Sequence, residues 1–316
     1  MTVKNFRKQH TERILYITPD GLTVVLHDPP NKSVLSYEGD GLPSPEYDTT
    51  RGPYQHGVNV LGIREPQREI DLVLRWNACS RDEYWTMRHT LINYLRPNRT
   101  NLNNSSPGVL RRILSNGEIF DLDCYLTRGP KWAYPRNWDH WSIQESLKFT
   151  AFNPVLYNPT TKAGLVQDFT PSFNPNIIIP LMFTFTFGET SPSITKSISI
   201  SYLGNWESFP AIIINGPYTA VSIQHQTTLD KVALNNYSSP TGETTTIDLT
   251  YGKKTILTNS GVSLLGYVTQ DSDLSAFSIQ PDPEVAGGIN AFDVTVSGGS
   301  SDTLIQMQYK DRYIGI

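Results

Sequence analysis

Three acidic pairs, Asp121 with Asp123, Asp271 with Asp273 and Asp282 with Glu284, are spaced closely enough to suggest acid–base or cation chemistry. Glycoside hydrolysis uses two carboxylates roughly 5–9 Å apart across a cleft. Residues two apart on a strand share a face, so Asp121 and Asp123 could be such neighbours. Like charges at that spacing also occur on solvated strand faces, and nothing around them nominates a cleft. Asp271-Ser272-Asp273 could meet a calcium ion, but the EF-hand spacing with its glycine and closing glutamate is missing. A polar turn is the simpler account of it.

Other reactive signatures are absent from the sequence. There is no G-x-S-x-G elbow, no phosphate-binding G-x-x-x-x-G-K-[ST] and no G-x-G-x-x-G. The six histidines (His10, His27, His56, His89, His140 and His225) are scattered, with no H-x-x-x-H or H-E-x-x-H spacing and no C-x-x-C partner motif. The sequence therefore nominates no catalytic, cofactor-binding or metal residue. Cys79 and Cys124 are too few for a disulfide framework. They could pair only if their Cα atoms lay within about 6 Å; the alternative is two buried, reduced thiols.

Aromatic side chains offer binding rather than catalysis. Lys131 to Trp141 holds three Trp, one Tyr, and Lys131, Arg136 and His140. Such a set could stack on sugars or bases, pack a core, or form a subunit contact, since Trp, Tyr and Arg are enriched at interfaces. Tyr202-Leu203-Gly204-Asn205-Trp206 places aromatics beside a turn, as lectin-like sandwiches do, although packing explains them too.

The segments that carry these side chains read as short and mostly extended. The chain has 316 residues, 11% aromatic, with 22 Gly and 22 Pro; such a mix suits many short strands joined by turns. Charged residues are 18% and the net charge is −4, which excludes a disordered chain and argues against a protein built to coat nucleic acid. At roughly 100–200 residues per domain, two domains are expected. Residues 1–164 carry 20 Lys and Arg against 17 Asp and Glu, whereas residues 165–316 carry 6 against 13. The Asn-Pro steps at Asn153-Pro154, Asn158-Pro159 and Asn174-Pro175 coincide with this change and place a linker near 155–175. The expected division is residues 1–160 and 161–316.

In the first part, Arg13–Ile17 and Leu22–Leu26 flank a Pro-Asp-Gly turn, and Glu69–Trp76 alternates like a half-buried strand. Val34–Gln55 is rich in Gly, Pro, Asp and Thr and reads as a long loop or arm. Ser80-Arg81-Asp82-Glu83 is a capping box. It starts a helix with Tyr84, Met87, Leu91 and Leu95 on one face, stopped by Pro97. Val109–Leu114 and Ile119–Leu126 flank an Asn-Gly hairpin signal, and Ser142–Phe152 reads as a strand.

The second part reads as all-β: Leu181–Phe187, Ser197–Tyr202, Ala211–Ile214, Ala220–His225, Lys231–Leu234, Thr244–Leu249, Lys254–Thr258, Ala276–Ile279, Ala291–Val296 and Thr303–Tyr309. Short strands at this spacing suggest a β-sandwich. No stretch reaches the ~20 apolar residues of a membrane span and no targeting signal is visible, so a soluble protein made in a cytoplasm is expected. The fold class is mainly β, with one short α-helix, and the character is structural or adhesive rather than enzymatic.

The second part carries Gly204-Asn205-Trp206-Glu207-Ser208-Phe209-Pro210, Ile212-Ile213-Ile214-Asn215-Gly216-Pro217, Gly242-Glu243-Thr244-Thr245-Thr246-Ile247-Asp248, Gly252-Lys253-Lys254-Thr255-Ile256 and a final Tyr309–Ile316 strand. The first part carries Arg51–Gly57, a helix ending Leu95-Arg96-Pro97, and Gly108-Val109-Leu110. In this order the motifs resemble siphophage distal tail proteins (Dit). The resemblance implies a homohexameric ring made by the N-terminal domain and a galectin-like β-sandwich projecting as the C-terminal domain. It implies no enzyme activity and no cofactor. Implied partners are other copies of the chain, the major tail tube protein, the tail-tip hub or tail-associated protein and the tape measure protein, with a receptor-binding protein or host surface glycan beyond them. DNA would pass through the lumen unbound, the location would be the virion tail tip, and no membrane insertion is implied. Arms such as Val34–Gln55 would embrace a neighbour. The competing readings are a carbohydrate-binding, lectin-like module, with an aromatic platform near Trp206 or Trp138, and a glycan hydrolase.

Overall fold

The computed structural model describes residues 12–96, 106–132, 142–170 and 193–316. The protein is mainly β, with one α-helix among the described residues. By its internal contacts the chain divides into two compact units, Met1–Pro159 with Arg312–Ile316, and Thr160–Asp311.

The first unit is built on strands β1 (Arg13–Ile17), β2 (Thr23–His27), β3 (Lys32–Glu38), β4 (Glu46–Thr50), β5 (Asn59–Arg64) and β6 (Arg68–Asn77), helix α1 (Arg81–Leu95), and strands β7 (Gly108–Ile113), β8 (Ile119–Arg128), β9 (Ser142–Ala151) and β10 (Leu156–Tyr157). Local chemistry sets the turns. At the β7–β8 hairpin Asn116 Oδ1 accepts from Glu118 N at 2.9 Å, and Gly117 takes φ +91°, which favours glycine. In β6 the side chains Ile70, Leu72, Leu74 and Trp76 are all buried, as period-two alternation requires. Trp76 also finds a buried acceptor, donating from Nε1 to Leu26 O at 3.1 Å.

The sheet order is β2-β1-β7-β8-β9-β6-β3. Strand β8 joins the two halves: Ile119–Cys124 pairs with β7, and Tyr125–Arg128 pairs with β9 across a register shift between Leu126 and Arg128. The two outermost strands, β2 and β3, are consecutive in the chain. They are tied by the Asp28–Lys32 bridge and by Val34 N donating to His27 Nδ1 at 3.0 Å. The sheet thus curls back toward itself around a core of Tyr16, Leu72, Leu74, Leu122, Leu147 and Phe149. Helix α1 packs Tyr84, Leu91 and Leu95 against that core. Ser80 Oγ accepts from Glu83 N as expected. Glu83 Oε2, however, takes the N–H of Cys79 at 2.6 Å rather than that of Ser80. Pro97 lies outside the described residues.

Val34–Gln55 is not a single loop. Its first residues belong to β3, which pairs with β6 across a bulge between Val34 and Ser36. Beyond Gly39, β4 and β5 form a separate two-stranded antiparallel ribbon.

The second unit contains β11 (Lys162–Gln167), β12 (Ser193–Ser201), β13 (Ala211–Asn215), β14 (Ala220–His225), β15 (Lys231–Leu234), β16 (Thr244–Asp248), β17 (Thr255–Thr258), β18 (Ile289–Ser297) and β19 (Leu304–Tyr309). A five-stranded sheet, β11-β19-β13-β16-β17, and a four-stranded sheet, β12-β18-β14-β15, enclose one apolar core. Phe277, Phe292, Ile214 and Met307 lie fully inside it; full burial of each such side chain is worth about 1.5–3 kcal/mol. The expected strand Ala276–Ile279 is only a single bridge, Ser208 to Ile279, among the described residues. The expected strand Leu181–Phe187 lies outside the described residues. After β19, β20 (Arg312–Tyr313) returns to the first unit and pairs with β10, which also pairs with β8. No helix among the described residues is long and apolar enough to cross a membrane.

Candidate functional site

The acidic pairs are committed to structure. Asp121 is buried and accepts both arms of the Arg111 guanidinium at 2.7 Å each. That bond holds Arg111 above its ordinary pKa. Asp123, two residues on, accepts from Tyr157 Oη at 2.8 Å. Burial first, and then the Asp123 charge, push the Tyr157 phenol well up. Asp271 is bonded by Lys231 Nζ at 2.5 Å, and that bond leads the causes that hold its carboxyl at about 2. Asp273 accepts from the backbone N–H of Ser275 and Ala276, and Asp282 from that of Gly287. Glu284 is exposed. All but Glu284 are thus held in ion pairs, a tyrosine hydrogen bond or turn caps. Among the described residues no three His, Cys, Asp or Glu side chains come together as a metal-holding group.

His225 is a core residue. Its Nδ1 accepts from Thr227 N and Thr228 N at 3.1 Å each, so Nε2 carries the proton and donates to Asn290 Oδ1 at 2.9 Å. Cys79 is exposed and Cys124 is buried, both as free thiols, so only one of the two is a buried thiol. Burial raises the Cys124 thiol to about 12.

The aromatic candidates divide. Of Lys131–Trp141, only Lys131 and Trp132 lie within the described residues; Trp138 and His140 lie outside. The Arg88 guanidinium sits 4.4 Å from the Trp132 ring centre and 4.9 Å from that of Trp85. Trp206 is half-buried, and its carbonyl accepts from Tyr202 Oη at 2.5 Å. The motif around it is a structural knot. Ser208 bonds Ile279 through the backbone in both directions, Ser208 Oγ donates to Lys310 O at 2.8 Å, and the Phe209 ring lies 4.1 Å below Lys254 Nζ. The Trp-Glu-Ser-Phe and Gly-Lys-Lys-Thr motifs, 45 positions apart, meet through that last contact. A shallow concavity of about 200 Å³ on β14, β15 and β18 is lined by Ser222, Lys231, Asn235 and Thr295 among others, without an aromatic side chain.

The β4–β5 ribbon is the feature that no candidate residue explains. Every residue of β4 is exposed, and β5 is nearly so. Glu46, Asp48 and Arg64 form an ion-paired face, with N–O distances of 3.1 and 3.2 Å. Tyr47 is paired with Ile63 instead. Leu61 is 71% exposed and Ile63 64%, with Val60, Val58 and the tip residue Tyr54 also exposed. An alternating strand normally turns its apolar residues to a core; among the described residues these belong to neither core cluster. Isolated exposed apolar residues are ordinary, but a contiguous set on one ribbon marks an interaction surface. The apolar run at Val58–Ile63 was the available sequence signal, and it is easily mistaken for a buried strand.

No protein-family model and no curated protein matches this chain in sequence. Solved structures do match its fold. The chain resembles the Dit protein (gp 19.1) of phage SPP1, described as a paradigm of the hub adsorption apparatus in phages that infect Gram-positive bacteria. The TM-score is 0.60 at 12% identity, covering 96% of this chain and 99% of that one. The phage P2 baseplate in its activated conformation overlaps more loosely. The Ca form gives a TM-score of 0.49 and 11% identity over 97% of this chain and 100% of that one, and the Sr form 0.47 and 11% over 94% and 98%. The chain has the fold of a phage hub-adsorption protein. More narrowly, it is the fold of Dit, matched across nearly the full length of both chains.

Proposed function

We propose that this chain is a structural subunit of a phage tail tip, a Dit-like protein whose copies close into a hexameric ring. The observation that carries this is the β4–β5 ribbon, an apolar face with no core of its own on a chain with the Dit fold. A closing ring needs a head-to-tail contact in which one patch meets a different patch on the next copy, and a projecting ribbon supplies one half of such a contact. On this reading residues 1–160, with the returning Arg312–Ile316, form the ring, and the rest of residues 161–316 forms an outward galectin-like domain that carries host-adsorption parts. The ring joins the tail tube to the hub protein, next to the tape measure protein, with DNA passing through its lumen. The role is mechanical and not enzymatic. The carbohydrate-module reading draws no support from the concavity, whose lining lacks a stacking platform.

A photo-crosslinking residue at Ile63 tests the contact. The expected product is a ladder of covalent species ending at six copies. A reaction that yields only intramolecular products at every concentration would sink the reading.

A further inference from the structure

The root of the ribbon converges on one buried cation. Arg68 is 2% exposed and has no carboxylate partner in its hydrogen bonds. Its Nε donates to Pro154 O at 2.7 Å, its Nη1 to Gly39 O at 2.6 Å and to Gly41 O at 2.9 Å, and its Nη2 to Ile314 O. A buried guanidinium is tolerated only when its donors are satisfied, so these four carbonyls are held where Arg68 needs them. Arg68 itself opens β6, four residues after β5 ends. The outgoing leg of the ribbon (Gly39, Gly41), the returning leg (Arg68) and the return segment (Ile314) therefore meet at one side chain.

The return segment adds its own contacts to the same root. Tyr313 pairs with Leu156 in the sheet and sets its ring edge-on to Phe120 at 5.2 Å. Ile316 N donates to Asp40 O at 3.3 Å, and Asp40 is ion-paired to Arg112. Gly315 lies against the ribbon root so closely that a Cβ there would come within 3.3 Å of Gly41 C and Leu42 N.

We propose that Arg312–Ile316 is a latch that fixes the direction of the β4–β5 ribbon. The slot it fills, between the β10 edge and Asp40–Leu42, is a binding site for an extended Arg-Tyr-Ile-Gly-Ile peptide, occupied here by the chain's own segment. Recognition has three parts: backbone pairing to β10, an aromatic at the second position against Phe120, and a glycine at the fourth against the root. This is strand addition within one chain, with backbone bonds for affinity and side-chain pockets for specificity. The consequence for assembly rests on the ribbon being a subunit contact; the latch itself does not.

The test uses the full chain and the distance between spin labels on native Cys79, which is exposed, and on His56→Cys at the ribbon tip, diluted with unlabelled protein. The parent is expected to give one narrow distance. Gly315→Val, which wedges the segment off the root, and Arg68→Met, which removes all four carbonyl bonds, are each expected to lose that narrow distance. The near-ultraviolet signal of the buried core should be unchanged. Adding Arg-Tyr-Ile-Gly-Ile peptide in excess is expected to restore it in Gly315→Val, while a scrambled peptide should not. A narrow distance in both variants overturns the latch. Loss of the core signal in both variants also overturns it, since the segment would then be part of the core. A broadened distance that the peptide fails to restore overturns the slot. If charged substitutions on the ribbon leave assembly untouched while latch variants free the ribbon, the subunit-contact reading falls and the latch stands; the opposite pattern removes the latch alone.

Discussion

Replacing Leu61 and Ile63 together by Asp should dissolve the proposed ring and leave the fold intact. The two side chains are 71% and 64% exposed in the single chain. Complete burial of Leu or Ile is worth about 1.5–3 kcal/mol, so covering the remaining two-thirds is worth about 1–2 kcal/mol each. For the pair this is about 2–4 kcal/mol per contact, or about 30- to 1,000-fold in the association constant at 1.4 kcal/mol per tenfold. Two carboxylates set against an apolar partner surface add a desolvation cost in the same direction. Neither residue belongs to either core cluster, so the stability change should stay within about 0.5 kcal/mol, as for ordinary surface substitutions. Sedimentation velocity over a concentration series, beside a thermal melt, reads both quantities. A double variant that associates as tightly as the parent would refute the assignment of the ribbon, and a large drop in melting temperature would refute its independence from the core.

Three further outcomes follow from the structure. Thiol titration of the native protein at pH 8 should count one fast thiol, Cys79, and a second only on unfolding, because burial holds Cys124 protonated at about 12; two fast thiols would contradict the packing around β8. Burial, helped by Cys124 and Asp20, raises Tyr16 to about 12. Its contribution is fully present below pH 10 and is lost as pH climbs through 12, so denaturant unfolding at pH 9, 10, 11 and 12 should show about 2–3 kcal/mol disappearing across that window. Stability that is flat from pH 9 to 12 would be inconsistent with a buried phenol. Arg111→Met should cost about 3 kcal/mol in urea unfolding, since it strips the partner from a carboxylate that is 3% exposed; a cost under 1 kcal/mol would mean that water replaces the guanidinium.

Local signals in the sequence carried the regular parts of the fold. The Ser80 cap, the Asn116-Gly117 turn and the alternation of β6 are each set by neighbours a few residues away, so their types and spacing suffice. Strand β3 escaped because its bulge between Val34 and Ser36 breaks the period, leaving Val34 and Tyr37 out of step. The ribbon escaped for a different reason. Val60, Leu61 and Ile63 look like core residues, and nothing in their order says that the core is missing. Arg68 was invisible as a buried cation because its four carbonyl partners come from residues 39, 41, 154 and 314, which only the tertiary fold brings together. The acidic pairs could be found by spacing, but their partners Arg111, Tyr157 and Lys231 lie 10 to 40 positions away and make them structural.

Ring closure is read by light scattering of the purified chain, with negative-stain images of the same peak. The prediction is a particle near six times the 35.5 kDa chain mass with an open centre. A single 35.5 kDa species, both alone and after mixing with tail tube protein, would contradict it.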